Sequence, residues 1–358
     1  MYSRETLLSN WLASLFPKKT LSLQPLAGDA SFRRYSRCYH PEGTYIIMDA
    51  PPDKNLNCHP FMLIAQELKK HKVNTPTIHH SDLEQGFLLL EDFGDTTYYQ
   101  AFKNQNPHQL YQQAIQTLVH LQECQNIPDF NIPHFDADFM LMEFERFDDW
   151  FLRQLLELSL NRAEQQILNE AYERLIRSAL SQSQRLIHRD YHSRNLMFLS
   201  QNSPGVLDFQ DAMIGPITYD LVSLLKDCYI TWPDSLLQVW ADTYFNQAKQ
   251  AGFIDNQMTE TQFAHAFDLM GMQRHFKVIG IFARLHLRDH KSAYLNDIPR
   301  IMRYLLDAAN RYEEFEALNW LLQTVILPKF LYPKSLSFRY DMPPRTTVAS
   351  LSTSTSAS

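Results

Sequence analysis

Two short segments in the second half of the chain contain residue types that could carry out phosphoryl transfer. His188-Arg189-Asp190 is followed by Asn195 five residues after the aspartate, and Asp208 stands at the end of the next apolar run. In phosphoryl transfer an aspartate can accept the proton of the attacking hydroxyl. Asparagine and aspartate oxygens are hard ligands of the kind that Mg²⁺ prefers. The spacing therefore predicts a catalytic loop with Asp190 as the base and with Asn195 and Asp208 as metal ligands.

A second motif, further upstream, is predicted to have a different role. Asp92-Phe93-Gly94 spells the Asp-Phe-Gly that follows the catalytic loop in kinases, but here it precedes His188 by almost a hundred residues. The metal-binding aspartate has to come after the loop, and Asp208 meets that condition. We therefore predict that Glu91 and Asp92 belong to a hinge, where backbone groups pair with the adenine of ATP.

The motifs of the second half resemble those of the aminoglycoside phosphotransferase family. Members of that family share the protein-kinase-like fold and phosphorylate small molecules with ATP. The resemblance extends to residues 215–221, where it implies that Asp220 supports the catalytic loop by hydrogen bonds to its backbone. His188 is predicted to orient the same loop by hydrogen bonding rather than to transfer protons.

Other segments resemble a narrower bacterial subfamily, which phosphorylates the anomeric hydroxyl of amino sugars during peptidoglycan recycling. The matching segments are residues 26–35, 47–52, 84–92, 208–212 and 271–285. The resemblance implies a cytoplasmic, ATP- and Mg²⁺-dependent kinase of N-acetylmuramate or N-acetylglucosamine. Two alternatives stay open: a kinase of another small hydroxylated metabolite or aminoglycoside, and a nucleotide-binding regulator without activity.

The sequence departs from the kinase pattern where ATP phosphates would bind. The strand that would carry the usual lysine ends in Met48-Asp49, and the nucleotide loop contains the single glycine Gly28. Small side chains let backbone N–H groups approach phosphates. We therefore expect the phosphates to be bound by the loop and by arginines that follow it; the candidate residues are Ser31, Phe32, Arg33 and Arg34.

Three residues are candidates for binding the acceptor. Arg194 stands next to Asn195, and Asp211 follows the metal motif and could bind a sugar hydroxyl. Arg274 lies on a predicted helix with Lys277, and a guanidinium can bind the carboxylate of N-acetylmuramate in a bidentate manner. The alternative for Arg274 is an exposed helix face. Glu143 lies on a predicted helix before the catalytic loop, and it either contacts the substrate or lies in the core.

The elements around these motifs predict an α+β, two-lobed protein-kinase-like fold. Short β-forming runs and turns fill a β-rich nucleotide-binding lobe over residues 1–93 with its hinge, and helical spacing dominates a catalytic and substrate-binding lobe over residues 94–330. Residues 331–358 form a tail with a Ser/Thr-rich end that we expect to be disordered.

Composition limits the partners. A net charge of −7 argues against a nucleic-acid partner, and no run is apolar and long enough to span a membrane. The four cysteines form no CxxC pair, which fits a reducing cytoplasm. We expect a monomer that binds a small-molecule substrate.

Overall fold

The structure, a computed structural model, describes residues 3–17, 19, 21–26, 33–52 and 57–331. They form two compact units: the described residues up to Pro133 with Arg194–Ala212, and His134–Ser193 with the described residues from Met213 onward. The predicted phosphate-binding residues Ser31 and Phe32, and the tail beyond residue 331, lie outside the described residues. The predicted lobe boundary at residues 93 and 94 stays a prediction.

The first unit contains a five-stranded antiparallel sheet, as the alternation of β-forming runs and turns predicts. The strands are β1 Ser22–Pro25, β2 Arg34–His40, β3 Gly43–Asp49, β4 Ile78–Asp82 and β5 Phe87–Glu91. Their order in the sheet is β1-β2-β3-β5-β4. At the tip of the β2–β3 hairpin His40 pairs with Gly43. Gly86 precedes β5 at φ +72°, and a Cβ there would come within 2.1 Å of the Ala50 carbonyl oxygen, so the turn requires glycine.

The N-terminal helix packs on an apolar face of this sheet. Trp11 of the N-terminal helix stacks on Phe87 with ring centroids 5.4 Å apart, over a buried cluster that includes Ile47 and Leu89. A short antiparallel pair, β7 Leu196–Met197 with β8 Gly205–Val206, also belongs to this unit. Its helices are α1 Arg4–Leu15, α2 His59–Lys70, α3 Tyr98–Ala101 and α4 Pro107–Glu123.

The second unit is largely helical and holds one two-stranded ribbon, β6 Gln184–Ile187 paired with β9 Met213–Pro216. Capping boxes begin two of its helices, Asn161 with Glu164 and Thr259 with Gln262, and satisfy backbone N–H groups that have no intrahelical partner. Its helices are α5 Ala137–Arg146, α6 Arg162–Ser181, α7 Tyr219–Leu225, α8 Asp234–Gln250, α9 Glu260–Leu287, α10 Ile298–Arg311, α11 Glu316–Leu321 and α12 Leu327–Leu331.

The longest helix, α9, runs through the core of the second unit and is buried over most of its length. Phe276 packs edge-on against Phe147 and Tyr172 at 4.8 and 5.3 Å between ring centroids. At Gly280 a Cβ would come within 2.6 Å of the backbone of Arg146 and Phe147. At this close contact α5 gives way to a π-helical segment, Phe147–Leu155.

Both predicted parts of the fold are therefore confirmed: an antiparallel sheet at the N-terminal side and a helix-rich remainder. Among the described residues, no helix is both long and apolar enough to cross a membrane.

Candidate active site

The loop that carries Asp190 starts where strand β6 ends at Ile187, and a buried carboxylate fixes its first residues. Asp220, in the first turn of α7, accepts hydrogen bonds from the backbone N–H groups of His188 at 2.6 Å and Arg189 at 2.9 Å. The backbone N–H of Asp190 donates to Nδ1 of His188 at 3.3 Å. The structure thus shows Asp220 and His188 in contact with the loop backbone.

Two residues of the predicted motifs have left-handed backbone, a conformation that is uncommon at residues other than glycine. Arg189, directly before Asp190, has φ +76°, and Asp208 has φ +62°. Left-handed backbone at non-glycine residues costs free energy and persists where surrounding contacts impose it. At Arg189 the hydrogen bond to Asp220 is one such contact.

The carboxylate of Asp190 lies in a strongly positive environment. Its side chain is 47% exposed, and Nη2 of the buried Arg274 is 3.9 Å from Oδ1. The partial loss of hydration among the surrounding groups would by itself raise the pKa of the Asp190 carboxyl, but neighbouring positive charges outweigh it and hold this pKa well below its usual range. They belong to Lys277, His192, Arg274 and Arg189, in decreasing order of effect. Asp190 is therefore ionised at neutral pH, as a proton acceptor has to be.

The two predicted metal ligands belong to the first unit. The backbone N–H of Leu207 donates to the carbonyl oxygen of Asn195 at 3.0 Å, which ties the end of the loop to the strand before Asp208. Phe209, directly after Asp208, is buried and packs on Phe61 of α2 at 4.7 Å between ring centroids. The apolar neighbour thus fixes the backbone of Asp208 from outside the site.

The donor set suits Mg²⁺ bound together with nucleotide phosphates. Asn195 and Asp208 supply hard oxygens, and Mg²⁺ is usually held by one or two carboxylates with substrate phosphates and water rather than by a complete protein cage. No group of three or more His, Cys, Asp or Glu side chains that could hold a metal ion occurs in the part of the chain that the structure describes. Gln210 Nε2 donates to Asp208 Oδ1 at 2.7 Å and orients the carboxylate.

The two candidate arginines after the nucleotide loop have different surroundings. Arg34 is the first residue of strand β2 and lies on the opposite face from Tyr35, since successive side chains of a strand alternate, whereas Arg33 precedes the strand. The negative charges of Asp208 and Asp211 affect the pKa of Tyr35, which burial above all holds well above its usual value, and the positive charge of Arg33 opposes them. The structure therefore brings Arg33 near the metal motif.

Arg34 has a different set of neighbours. Its Nη2 donates to Oδ2 of Asp49 at 2.7 Å, and Asp49 is also bound by Arg4 of helix α1 at 2.7 Å. Arg4 in turn lies over the ring of Phe87, on the face that α1 covers. The structure does not bring Arg34 to Asp208.

At the predicted hinge both acidic side chains are already bound. Glu91 accepts from the backbone N–H of Thr77 at 3.0 Å, and Asp92 forms an ion pair with Arg37 at 2.6 Å. Two backbone donors are also used, since Glu91 N–H donates to the Thr77 carbonyl and Gly94 N–H to Asp92. Adenine binding here would use other backbone groups of this segment.

The three candidate acceptor residues are divided between the two units. Arg194 and Asp211 are exposed residues of the first unit, and the guanidinium of Arg194 lies 5.3 Å from the ring centroid of Tyr99. Arg274 belongs to the second unit, and its side chain is 2% exposed. The α9 face around Arg274 and Lys277 is thus buried rather than exposed, because it pairs with acidic and polar groups of the same unit.

Three further residues interact with these motifs in ways that the sequence did not predict. Asp227 accepts from both the backbone N–H and the hydroxyl of Ser193, Glu143 is a buried partner of Arg189, and Tyr35 lies near Asp208. Asp227 follows Asp220 by seven residues, about two helical turns, and this spacing could have indicated the contact of Asp227 with the loop. No sequence signal links Glu143 to a residue 46 positions away.

Comparisons with known proteins agree with this arrangement. A model of the phosphotransferase enzyme family matches residues 22–253. The chain is 42% identical over 302 residues to an N-acetylmuramate/N-acetylglucosamine kinase of Pseudomonas putida, covering 84% of this chain and 87% of that one. It is 38% identical over 332 residues to the enzyme of the same name from Neisseria meningitidis serogroup B, covering 90% and 96%.

Solved structures share the fold at low sequence identity. An ADP-bound aminoglycoside phosphotransferase, APH(2'')-Ib, superposes with a TM-score of 0.58 at 15% identity, covering 87% of this chain and 99% of that one. A choline kinase from Streptococcus pneumoniae superposes with a TM-score of 0.59 at 13% identity, covering 85% and 99%. At these identities the likeness shows the protein-kinase-like fold alone.

Proposed function

The chain belongs to the phosphotransferase enzyme family, and from that premise we propose that it transfers the γ-phosphoryl group of ATP to the anomeric hydroxyl of N-acetylmuramate or N-acetylglucosamine. The observation that carries the proposal is the ionised carboxylate of Asp190, held by a fixed loop in a positive environment. The names of the relatives at 38–42% identity support the choice of sugar.

In the proposed reaction Asp190 orients the hydroxyl on C1 of the sugar and accepts its proton. The hydroxyl oxygen forms a bond to the γ-phosphorus, the bond from that phosphorus to the β,γ-bridging oxygen breaks, and ADP leaves. An anomeric hydroxyl is more acidic than an ordinary alcohol, so a carboxylate of low pKa suffices as the base. Positioning then contributes most of the rate enhancement.

Residues of the first unit are proposed to bind the triphosphate. Asn195 and Asp208 would hold Mg²⁺, which neutralises phosphate charge and polarises the γ-phosphoryl group when bound. Arg33, whose positive charge acts on Tyr35 beside the metal motif, would supply the positive charge that a strand lysine supplies in protein kinases. Arg34 is left out of this set because it lies on the face with Asp49.

For the acceptor we propose that Arg274 acts through Asp190, since its guanidinium is buried and its charge lies beside that carboxylate. Arg194 and Asp211 are exposed and are proposed to contact the substrates directly. We also propose that the enzyme works in a reducing, ATP-containing compartment such as the cytoplasm, which its four free, buried cysteines support.

The test measures ADP release with a panel of candidate acceptors. Phosphorus NMR then locates the new phosphate on the product. We expect turnover with N-acetylmuramate or N-acetylglucosamine and a phosphate on C1. Asp190→Asn should lose most of kcat while it still binds nucleotide. Phosphate on another hydroxyl, turnover only with an aminoglycoside or amino alcohol, or nucleotide binding without any turnover would each overturn the proposal.

A further inference from the structure

A buried carboxylate that plays no part in the reaction above lies beside the catalytic loop. Glu143 of α5 is fully buried, and Gln273 Nε2 donates to its Oε2 at 2.9 Å. Its Oε1 lies 3.4 Å from Lys277 Nζ and 3.4 Å from Arg189 Nη2. Arg146, one turn further along α5, is 3.9 Å away. We call Glu143 with Gln273, Lys277 and Arg189 the Glu143 cluster.

Stability alone gives little reason for such a cluster. Removing charges from water is costly, and a buried ion pair is often no more stabilising than well-packed apolar side chains of similar size. Aromatic packing already fills the surroundings, since Phe144, the next residue, stacks on Tyr172 with ring centroids 3.9 Å apart. The charges of the Glu143 cluster therefore indicate a role other than packing in the core.

Arg189 links Glu143 to the base through the backbone. It directly precedes Asp190 and has left-handed backbone, with its N–H held by Asp220. Glu143 holds the other end of the same residue, the guanidinium. Two carboxylates on different helices therefore fix Arg189, the residue before Asp190. Asp220 holds its backbone N–H, and Glu143 holds its guanidinium.

Lys277 links Glu143 to the base through charge. Its Nζ donates to the hydroxyl of Tyr219 at 2.8 Å, so Glu143 and Tyr219 together fix the ammonium group. Lys277 lies one helical turn after Arg274, whose guanidinium is 3.9 Å from Asp190. Without Glu143 the buried ammonium would keep only the Tyr219 hydroxyl and the charge of Asp190, and its position beside that base would change.

We propose that Glu143 is a positioning residue of the phosphoryl-transfer reaction, which holds Arg189 and Lys277 so that the Asp190 carboxylate meets the acceptor hydroxyl in one orientation. The proposal rests on the proposed function, because it takes Asp190 as the base. It implies a loss of turnover on neutralising Glu143 that is not matched by a loss of substrate binding.

The first test compares Glu143→Gln with Glu145→Gln, an exposed carboxylate on the same helix. A misplaced base can reduce turnover by about a hundredfold, and we expect that loss in kcat for Glu143→Gln. KM for the sugar and for ATP should change by less than about threefold, because the variant removes no substrate contact. Glu145→Gln should match the wild type in both. Unchanged kcat, or a rise in KM alone, would contradict the proposal.

The second test is a double-mutant cycle of Glu143→Gln with Lys277→Met. If Glu143 acts through Lys277, the double variant loses no more kcat than the worse single variant, whereas independent roles give multiplied losses. Lys277→Arg keeps the charge and should recover at least about tenfold of the kcat that Lys277→Met loses. The comparison of Lys277→Arg with Lys277→Met does not require that Glu143→Gln folds. Equal activity of these two variants would overturn the proposal.

The outcomes separate this proposal from the proposed function. If wild type phosphorylates neither sugar, or if Asp190→Asn turns over normally, the proposed function fails. If both of those controls behave as expected and Glu143→Gln loses only melting temperature, the cluster is structural and the inference alone fails.

Discussion

Asp227 accepts two hydrogen bonds from Ser193, one from the hydroxyl at 2.5 Å and one from the backbone N–H at 3.0 Å. Seven residues earlier Asp220 accepts from the backbone of His188 and Arg189. Helix α7 and the residues directly after it thus hold both ends of the segment that contains the base. Because both carboxylates are fully buried, water does not compete for these bonds.

Removing the hydroxyl of Ser193 should weaken the second of these attachments. Ser193→Ala leaves the buried carboxylate of Asp227 with one hydrogen bond fewer, and a lost bond to a buried charged group lowers the free energy of unfolding by about 1–3 kcal/mol. Urea unfolding of both proteins measures the change. We also expect a lower kcat, since the segment after Asp190 becomes freer.

The matched control for that experiment is Ser181→Ala. The Ser181 hydroxyl donates to the Ser178 carbonyl at an exposed helix end, where water can replace it. Its free energy of unfolding should stay within about 0.5 kcal/mol of the wild type. Equal effects of the two substitutions would show that the Ser193–Asp227 contact contributes nothing particular.

Asp220 predicts a pH dependence with opposite signs for stability and activity. Burial raises the pKa of Asp220 to about 6, although the charge of His188 and the hydrogen bonds from the backbone N–H groups of His188 and Arg189 act against it. The folded pKa lies above the unfolded one, so the stability that this group contributes is present below about pH 4 and lost as the pH rises through 6. Activity should follow the opposite course, because protonation takes one acceptor from the loop.

Asp220→Asn supplies the reference for both measurements. Relative to this variant, the free energy of unfolding of the wild type should fall by about 3 kcal/mol between pH 4 and pH 7. The wild-type kcat should show an acid limb near pH 6 that Asp220→Asn lacks. A limb that persists in the variant would assign that titration to another group.

The local parts of the site could be predicted from the sequence. The spacing of Asp190, Asn195 and Asp208 is set by one loop and one short strand pair, so it is readable without knowledge of the rest of the chain. The same holds for the sheet, whose turns at residues 41–43 and at Gly86 have characteristic residue types.

Contacts over long sequence separations could not be predicted in this way. Gln273 meets Glu143 across 130 residues, and the charged face of α9 is buried because its partners come from elsewhere in the second unit. Helical periodicity shows which residues share a face but not what that face meets. By contrast, the opposite faces of Arg34 and Tyr35 on strand β2 follow from strand alternation alone and could have been predicted.

The two adjacent arginines should separate nucleotide binding from sheet stability. Arg33→Ala should raise the Kd for ATP by about tenfold, as expected for one charge-assisted hydrogen bond. Arg34→Ala should leave that Kd within about twofold, because its side chain is 58% exposed and already bound to Asp49. Titration calorimetry with the full chain measures both. A larger loss of ATP affinity from Arg34→Ala than from Arg33→Ala would assign the phosphate contact to Arg34 instead.

Two glycines of α9 should respond in opposite ways to the same substitution. A Cβ at Gly280 meets the backbone of Arg146 and Phe147 at 2.5–2.6 Å, and backbone cannot move aside cheaply, so Gly280→Ala should cost about 1–3 kcal/mol of unfolding free energy. At Gly271 the nearest atom is the end of the Lys226 side chain at 3.3 Å, and the gain in helix propensity offsets a small shift there. Thermal unfolding of both variants measures the contrast. A melting temperature for Gly280→Ala at or above that of Gly271→Ala would mean that α5 and α9 separate readily, and that the close approach at Gly280 is not needed for their packing.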